Sequence, residues 1–151
     1  MKLMTTVKNG DLLKTACELV LGHQTNCKGV MSGGIAKQFK KAYPQMFKAY
    51  KSYCKNNYPL GRTMLFPIGE NRYIANIFGQ YGTGKGRQTD YKELESALED
   101  LKFQMEESGL KSLALPYKIS CGLAGGDWEI VSEILENCFE NSGIDVTLYK
   151  L

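Results

Sequence analysis

Short apolar runs alternate with glycine-rich gaps and amphipathic stretches along most of the chain. Leu3–Val7 reads as a strand, closed by the turn-forming Asn9-Gly10-Asp11. Leu12–Cys17 is ambiguous and suits a short helical turn. Glu18–His23 is an apolar run of strand length, of the kind buried in the middle of a sheet. Ile35, Phe39, Ala42 and Tyr43 recur at helical spacing, which predicts a helix from about Gly34. Pro44 interrupts it, since proline cannot continue the hydrogen-bond ladder, and opens a second helix, Pro44–Lys55. Thr63–Ile68 and Arg72–Phe78 are strand-like and joined at Gly69-Glu70-Asn71. Asp90 and Glu93 have capping-box spacing. The helix after them places Leu94, Ala97, Leu98, Leu101 and Met105 on one face, and Gly109 stops it. Ser112–Leu115 is an apolar strand ending at Pro116. Asp127 can cap a last helix with the stripe Trp128, Val131, Ile134, Leu135, Cys138 and Phe139, ended by Gly143. Val146–Tyr149 is a closing strand.

Strands alternating with helices predict an α/β fold, a three-layer α/β/α sandwich with a central mixed sheet, and one domain over residues 1–151. Two glycine loops stand out: Thr25–Ala36 and Ser120–Trp128. Each follows an apolar strand and precedes a helix. Glycine lets the backbone approach a ligand and take positive φ, and a helix start offers unpaired N–H groups with partial positive charge. These two loops are expected to grip one phosphorylated ligand between them. A third loop, Gly79–Gln88, holds four glycines and also follows a strand. In open α/β sheets such loops share a crevice at the strand ends.

Composition narrows this picture only a little. A chain of 151 residues can bury a substantial core. Its net charge of +3 permits an anionic ligand and carries no strong nucleic-acid signal. Lys37, Lys40, Lys41, Lys48, Lys51 and Lys55 scatter around two helices and read as a solvated face. Five cysteines without a Cys-x-x-Cys pair argue against a zinc ribbon or disulfide framework and for a reducing, cytoplasmic setting. No stretch approaches a membrane span, and the first residues lack the apolar core of a secretory signal. Monomer is the default expectation.

The usual phosphate and nucleophile motifs do not fit. There is no P-loop, no Gly-x-Gly-x-x-Gly, and no Gly-x-Ser-x-Gly elbow. The single histidine, His23, rules out multi-histidine metal sites and sits in a buried run, which favours a packed core role. No metal or cofactor is called for. Cys121 lies in a glycine loop before a helix, where a thiol pKa can fall. Asp11 can cap a helical turn, Asn26 can serve a turn, and Gly125 and Gly126 can serve close packing alone.

Taken in order, Gly10-Asp11-Leu12, His23-x-Thr25-Asn26, Gly33-Gly34-Ile35-Ala36, Asn76-Ile77-Phe78 and Gly122-Leu123-Ala124-Gly125-Gly126-Asp127-Trp128 resemble the motif series of macro domains. The likeness spans nearly the whole chain. It is greatest to the branch holding terminal ADP-ribose protein glycohydrolase and the yeast-type ADP-ribose-1″-phosphate phosphatases. The resemblance implies a mixed sheet between helices with ADP-ribose in the crevice. It also implies roles. Asp11 takes the adenine amino group, with the Leu12 backbone beside it. Asn26 holds the distal ribose. Gly33, Gly34 and Ile35 contact the distal ribose and diphosphate. Ser120, Cys121, Gly122, Leu123, Ala124, Gly125 and Gly126 wrap the diphosphate. Phe78 or Tyr149 packs on a ribose or the adenine.

For catalysis the resemblance offers less. The family's lysine aligns nearer Gly82, though Lys85 lies in the same loop. Ala124 stands where the glycohydrolase branch has an aspartate. The favoured expectation is therefore a phosphatase acting on ADP-ribose-1″-phosphate, with Lys85 and Asn26 as candidate catalytic residues. Removal of ADP-ribose from protein or nucleic acid, deacetylation of O-acetyl-ADP-ribose, and plain ADP-ribose reading are the alternatives. The expected partners are ADP-ribose or a derivative and an ADP-ribosylated macromolecule.

Overall fold

The computed structural model describes residues 5–151. Its strands are β1 (Thr5–Asn9), β2 (Val20–Gln24), β3 (Thr63–Gly69), β4 (Arg72–Ile77), β5 (Ser112–Pro116) and β6 (Asp145–Lys150). Its helices are α1 (Leu12–Thr15), α2 (Gly34–Ala42), α3 (Pro44–Asn56), α4 (Tyr91–Ser108) and α5 (Trp128–Phe139). The strands form one mixed sheet in the order β1-β6-β5-β2-β4-β3. All pairings are parallel except β3 with β4, which form the antiparallel hairpin expected at Gly69-Glu70-Asn71.

Helices cover both faces, so the α/β/α sandwich is the observed architecture. Strand alternation divides the core in two. Val20, Ala75, Ile77, Leu113 and Leu115 face α4 and α5. Leu21, Ile74 and Ala114 face α1, α2 and α3, where Phe39, Met46 and Tyr50 are fully buried. Because β2 is covered on both faces, Val20 to His23 are buried without alternation. No helix among the described residues is long and apolar enough to cross a membrane.

Several element bounds move. Of the predicted first strand, Leu3 and Met4 lie outside the described residues, and β1 runs on to Asn9. The second strand begins at Val20, since Glu18 and Leu19 lie before it. The last helix ends at Phe139, not at Gly143. Glu140 takes extended backbone there, and the left-handed turn falls first on Asn141 (φ 61°). The predicted caps hold: Asp90 accepts from the Glu93 N–H at 3.1 Å and Asp127 from the Glu129 N–H at 2.9 Å.

Candidate ligand cleft

Three loops leave the C-terminal ends of neighbouring parallel strands: 25–33 after β2, 78–90 after β4, and 117–127 after β5. Between them lies a cleft of about 520 Å³, within the size range of small-molecule sites. The two glycine loops face one another across it. A Cβ added at Gly33 would stand 2.8 Å from Leu123 Cδ1.

The first loop is held from inside by Asn26. Its Oδ1 accepts from the Lys28 N–H (2.9 Å), the Val30 N–H (3.4 Å) and the Tyr50 hydroxyl (2.9 Å), while Nδ2 donates to the Val30 carbonyl (2.8 Å). The loop then enters α2 through Gly34, whose φ of 57° suits only glycine without strain. No side chain caps this helix. The N–H groups of Met31, Ser32 and Gly33 meet no acceptor among the described residues.

The third loop begins with Lys118 (φ 58°) and Ser120 (φ 72°), both non-glycine residues in left-handed conformation. Such strain concentrates at ligand clamps. The Ser120 carbonyl accepts from the Gly126 N–H (2.8 Å) and the Thr89 hydroxyl (2.8 Å), which closes the loop. A Cβ on Gly126 would come within 2.5 Å of that carbonyl oxygen, so glycine is required there. The N–H groups of Gly122, Leu123 and Ala124 meet no acceptor among the described residues. Two stretches of unpaired backbone donors thus line one cleft, an arrangement that suits a diphosphate.

Gln24 ties the loops after β4 and β5 to the end of β2, where the first loop starts. Its Nε2 donates to Gln80 Oε1 (2.9 Å) and Thr89 Oγ1 (3.0 Å), and its Oε1 accepts from the Ser120 hydroxyl (2.6 Å). Nothing in the sequence pattern singled out Gln24, Gln80 or Thr89. The only signal was a polar residue closing an apolar strand. Among the described residues, no carboxylate lines the cleft. Thr25 Oγ1, buried in its wall, has no hydrogen-bond partner among the described residues. Among the described residues, no three His, Cys, Asp or Glu side chains converge to hold a metal ion.

Of the sequence-predicted site residues, Asn26, Gly33, Gly34, Ile35, Ser120, Gly122, Leu123 and Ala124 line the cleft. The others do not. Phe78 is fully buried between the rings of Tyr50 and Tyr53, each 5.9 Å away, and cannot reach a ribose. Tyr149 is 7% exposed, and its hydroxyl donates to Glu18 Oε1 at 2.9 Å. Burial pushes that phenol up to about 12. Asp11 caps α1 by accepting from the Leu13 N–H (3.0 Å), and Leu12 is buried beneath it. Cys121 turns its thiol toward the Ile119 carbonyl (3.3 Å), and burial raises its pKa instead of lowering it. Gly125 packs against Arg87, where an added Cβ would lie 3.2 Å from its Cα, and so serves loop packing.

The catalytic candidates fare similarly. Lys85 is exposed and outside the lining, which takes Thr83, Gly84 and Gln88 from its loop. Asn26 reaches the cleft with its amide already committed to the loop. His23 is a packed core histidine: fully buried, stacked on Phe39 (4.2 Å), and paired through Nε2 with Asn76 Oδ1 (2.8 Å). Burial lowers its pKa to about 4. It is not among the residues that line the cleft.

A model of the Macro domain family matches residues 23–135. The chain is 33% identical over 150 residues to a DNA ADP-ribosyl glycohydrolase of Mycobacterium tuberculosis, covering 97% of this chain and 42% of that relative's length. It is 30% identical over 156 residues to an ADP-ribose 1″-phosphate phosphatase of Debaryomyces hansenii, covering 84% of this chain and 86% of that one. In structure it is similar to the macrodomain of Mycobacterium tuberculosis DarG, with a TM-score of 0.84, 31% identity and 98% of each chain covered. These likenesses overturn one expectation. The weak nucleic-acid signal read from net charge is corrected by relatives whose names place the ADP-ribosyl group on DNA. Net charge is blind to a macromolecule that is recognised through a nucleotide it carries. From β2 into α5, through both glycine loops, this chain is a member of the macro domain family.

Proposed function

We infer that the chain hydrolyses the bond joining ADP-ribose to a macromolecule, with ADP-ribosylated nucleic acid as the substrate class. The observation that carries this is the meeting of two donor-lined glycine loops at Gly33 and Leu123. The Mycobacterium relative supports nucleic acid ahead of the phosphatase favoured from sequence. In this reading the free N–H groups of residues 31–33 and 122–124 hold the diphosphate. Asp11, whose second carboxylate oxygen is not used by the cap, takes the adenine amino group. It follows β1, two strands beyond β5 and so ~10 Å along the sheet edge. That is about the reach of a nucleoside from its phosphate.

With no carboxylate in the cleft, water is oriented rather than deprotonated by an acid–base pair. Gln88 is placed for this. Its Nε2 donates to the Lys85 carbonyl (3.0 Å), and its Oε1 remains available as an acceptor. An amide oxygen can aim an attacking water without taking its proton. The water oxygen bonds to the ribose anomeric carbon as the bond to the acceptor breaks, and the acceptor leaves with a proton.

The test is incubation with a single-stranded oligonucleotide bearing ADP-ribose. Release of free ADP-ribose and unmodified oligonucleotide is the expected result. An intact conjugate under conditions where ADP-ribose binds would overturn the reading. Gln88→Ala should lower turnover by about 100-fold and leave ADP-ribose binding in place. The Debaryomyces relative favours a second reading, phosphate release from ADP-ribose-1″-phosphate in the same cleft. Assaying both substrates side by side separates the two.

A further inference from the structure

Charge is distributed very unevenly along this chain. Between Glu18 and Glu70 there is no acidic residue, while Lys28, Lys37, Lys40, Lys41, Lys48, Lys51, Lys55 and Arg62 give +8. With a total of +3, the rest of the chain carries −5. Five of these lysines (37, 40, 41, 48 and 51) line one groove of about 760 Å³ between α2 and α3. All five are exposed, and the one ion pair among the described residues, Lys102–Glu99, is elsewhere. The floor is apolar and aromatic: Pro44 and Phe47, with Lys40 Nζ 4.4 Å from the Phe47 ring centre.

Helix stability does not account for this arrangement. Lys40 and Lys41 sit in the last turn of α2, where the helix dipole favours cations. Lys37, Lys48 and Lys51 do not lie in a last turn. Lys37–Lys41 and Lys48–Lys51 are like-charge pairs at helical spacing, which oppose helix formation. The groove is continuous with the ligand cleft, because Met31 and Ser32 line both.

We propose that this groove is the track for a single strand of DNA whose ADP-ribosyl group enters the cleft past Met31 and Ser32. The inference rests on the nucleic-acid reading given above. Lysines are point charges suited to a phosphate backbone, and an aromatic floor suits unstacked bases. A single strand fits better than a duplex, since a modified base inside a duplex must leave the stack to reach the cleft.

The test uses an unmodified, fluorescently labelled single-stranded DNA and anisotropy titrations across a range of salt. The parent should bind with a log–log salt slope of about −0.7 per lysine engaged. A variant with Lys37, Lys40, Lys41, Lys48 and Lys51 all changed to glutamine should bind at least about tenfold more weakly, with a flatter slope. Equal affinity and slope in parent and variant would overturn the proposal. So would tighter binding of the duplex, or binding of poly-glutamate as tight as that of DNA. Calorimetry with ADP-ribose reads the cleft separately. The variant should bind ADP-ribose like the parent, which also confirms its fold. Because the DNA probe carries no ADP-ribose, the groove succeeds or fails independently of cleft chemistry.

Discussion

On one face of the sheet, α4 and α5 carry nine acidic residues, and each starts at an aspartate that caps it. On the other face, α2 and α3 carry six lysines and no acid, and neither has a side-chain cap. The first pair meets one orphan N–H at each helix start from within the chain, that of Glu93 in α4 and that of Glu129 in α5. The second pair is left open at the start of α2, where the cleft lies. Open donors and unpaired cations on the same side of the molecule mark that side as the one that meets anions.

The comparison can be broken or sharpened by measurement. If the difference is one of surface and not of core, truncating a fully buried residue should cost about the same on either side. Leu101→Ala and Phe39→Ala should each lower unfolding free energy by about 4 kcal/mol in denaturant titration. A much smaller loss for Phe39→Ala would mean that the lysine-bearing face is loosely packed.

Acid should then separate the faces, because only the α2–α3 side buries a histidine. His23 titrates near 4 when folded and near 6.5 when unfolded, so between these values the unfolded chain binds the extra proton. Stability is therefore complete above about pH 6.5 and falls as pH drops toward 4, by about 3 kcal/mol from this group. His23→Gln should flatten the curve across that window. An unchanged slope would assign the acid sensitivity elsewhere.

A smaller effect comes from giving α2 the cap it lacks. Gly33→Asp brings a carboxylate to the helix start, and its only close neighbour is the end of the Leu123 side chain. ADP-ribose affinity should fall at least tenfold, about 1.4 kcal/mol, while thermal stability holds or rises. Retained affinity would show that the start of α2 is not where the anion sits. Removing a cap from the other face gives the smallest change. Asp127→Ala should cost about 1 kcal/mol of stability, and little binding.

What could be read from sequence divides along similar lines. Periodicity located α2, α4 and α5, proline marked the start of α3, and glycine marked both loops, because these are local properties of the chain; the short α1 stayed ambiguous. The lysines of α2 and α3 were visible as residues but not as a groove. Their convergence depends on how two helices cross. The burial of Phe78 was hidden for the same reason. An aromatic at a strand end points into the core or toward a ligand according to the helix packed over it, and in Phe78's case that helix brings Tyr50 and Tyr53. Gln24 escaped notice because its partners lie 56, 65 and 96 residues away.

One amide holds the end of β2 to the loops after β4 and β5 at the mouth. Exchange of a guest then falls to the parts that are not pinned. Leu123, 78% exposed and lying over Gly33, is such a part. A side chain of that kind changes rotamer in picoseconds to nanoseconds. A turn of that side chain widens the space over Gly33 without disturbing any bond that Gln24 makes.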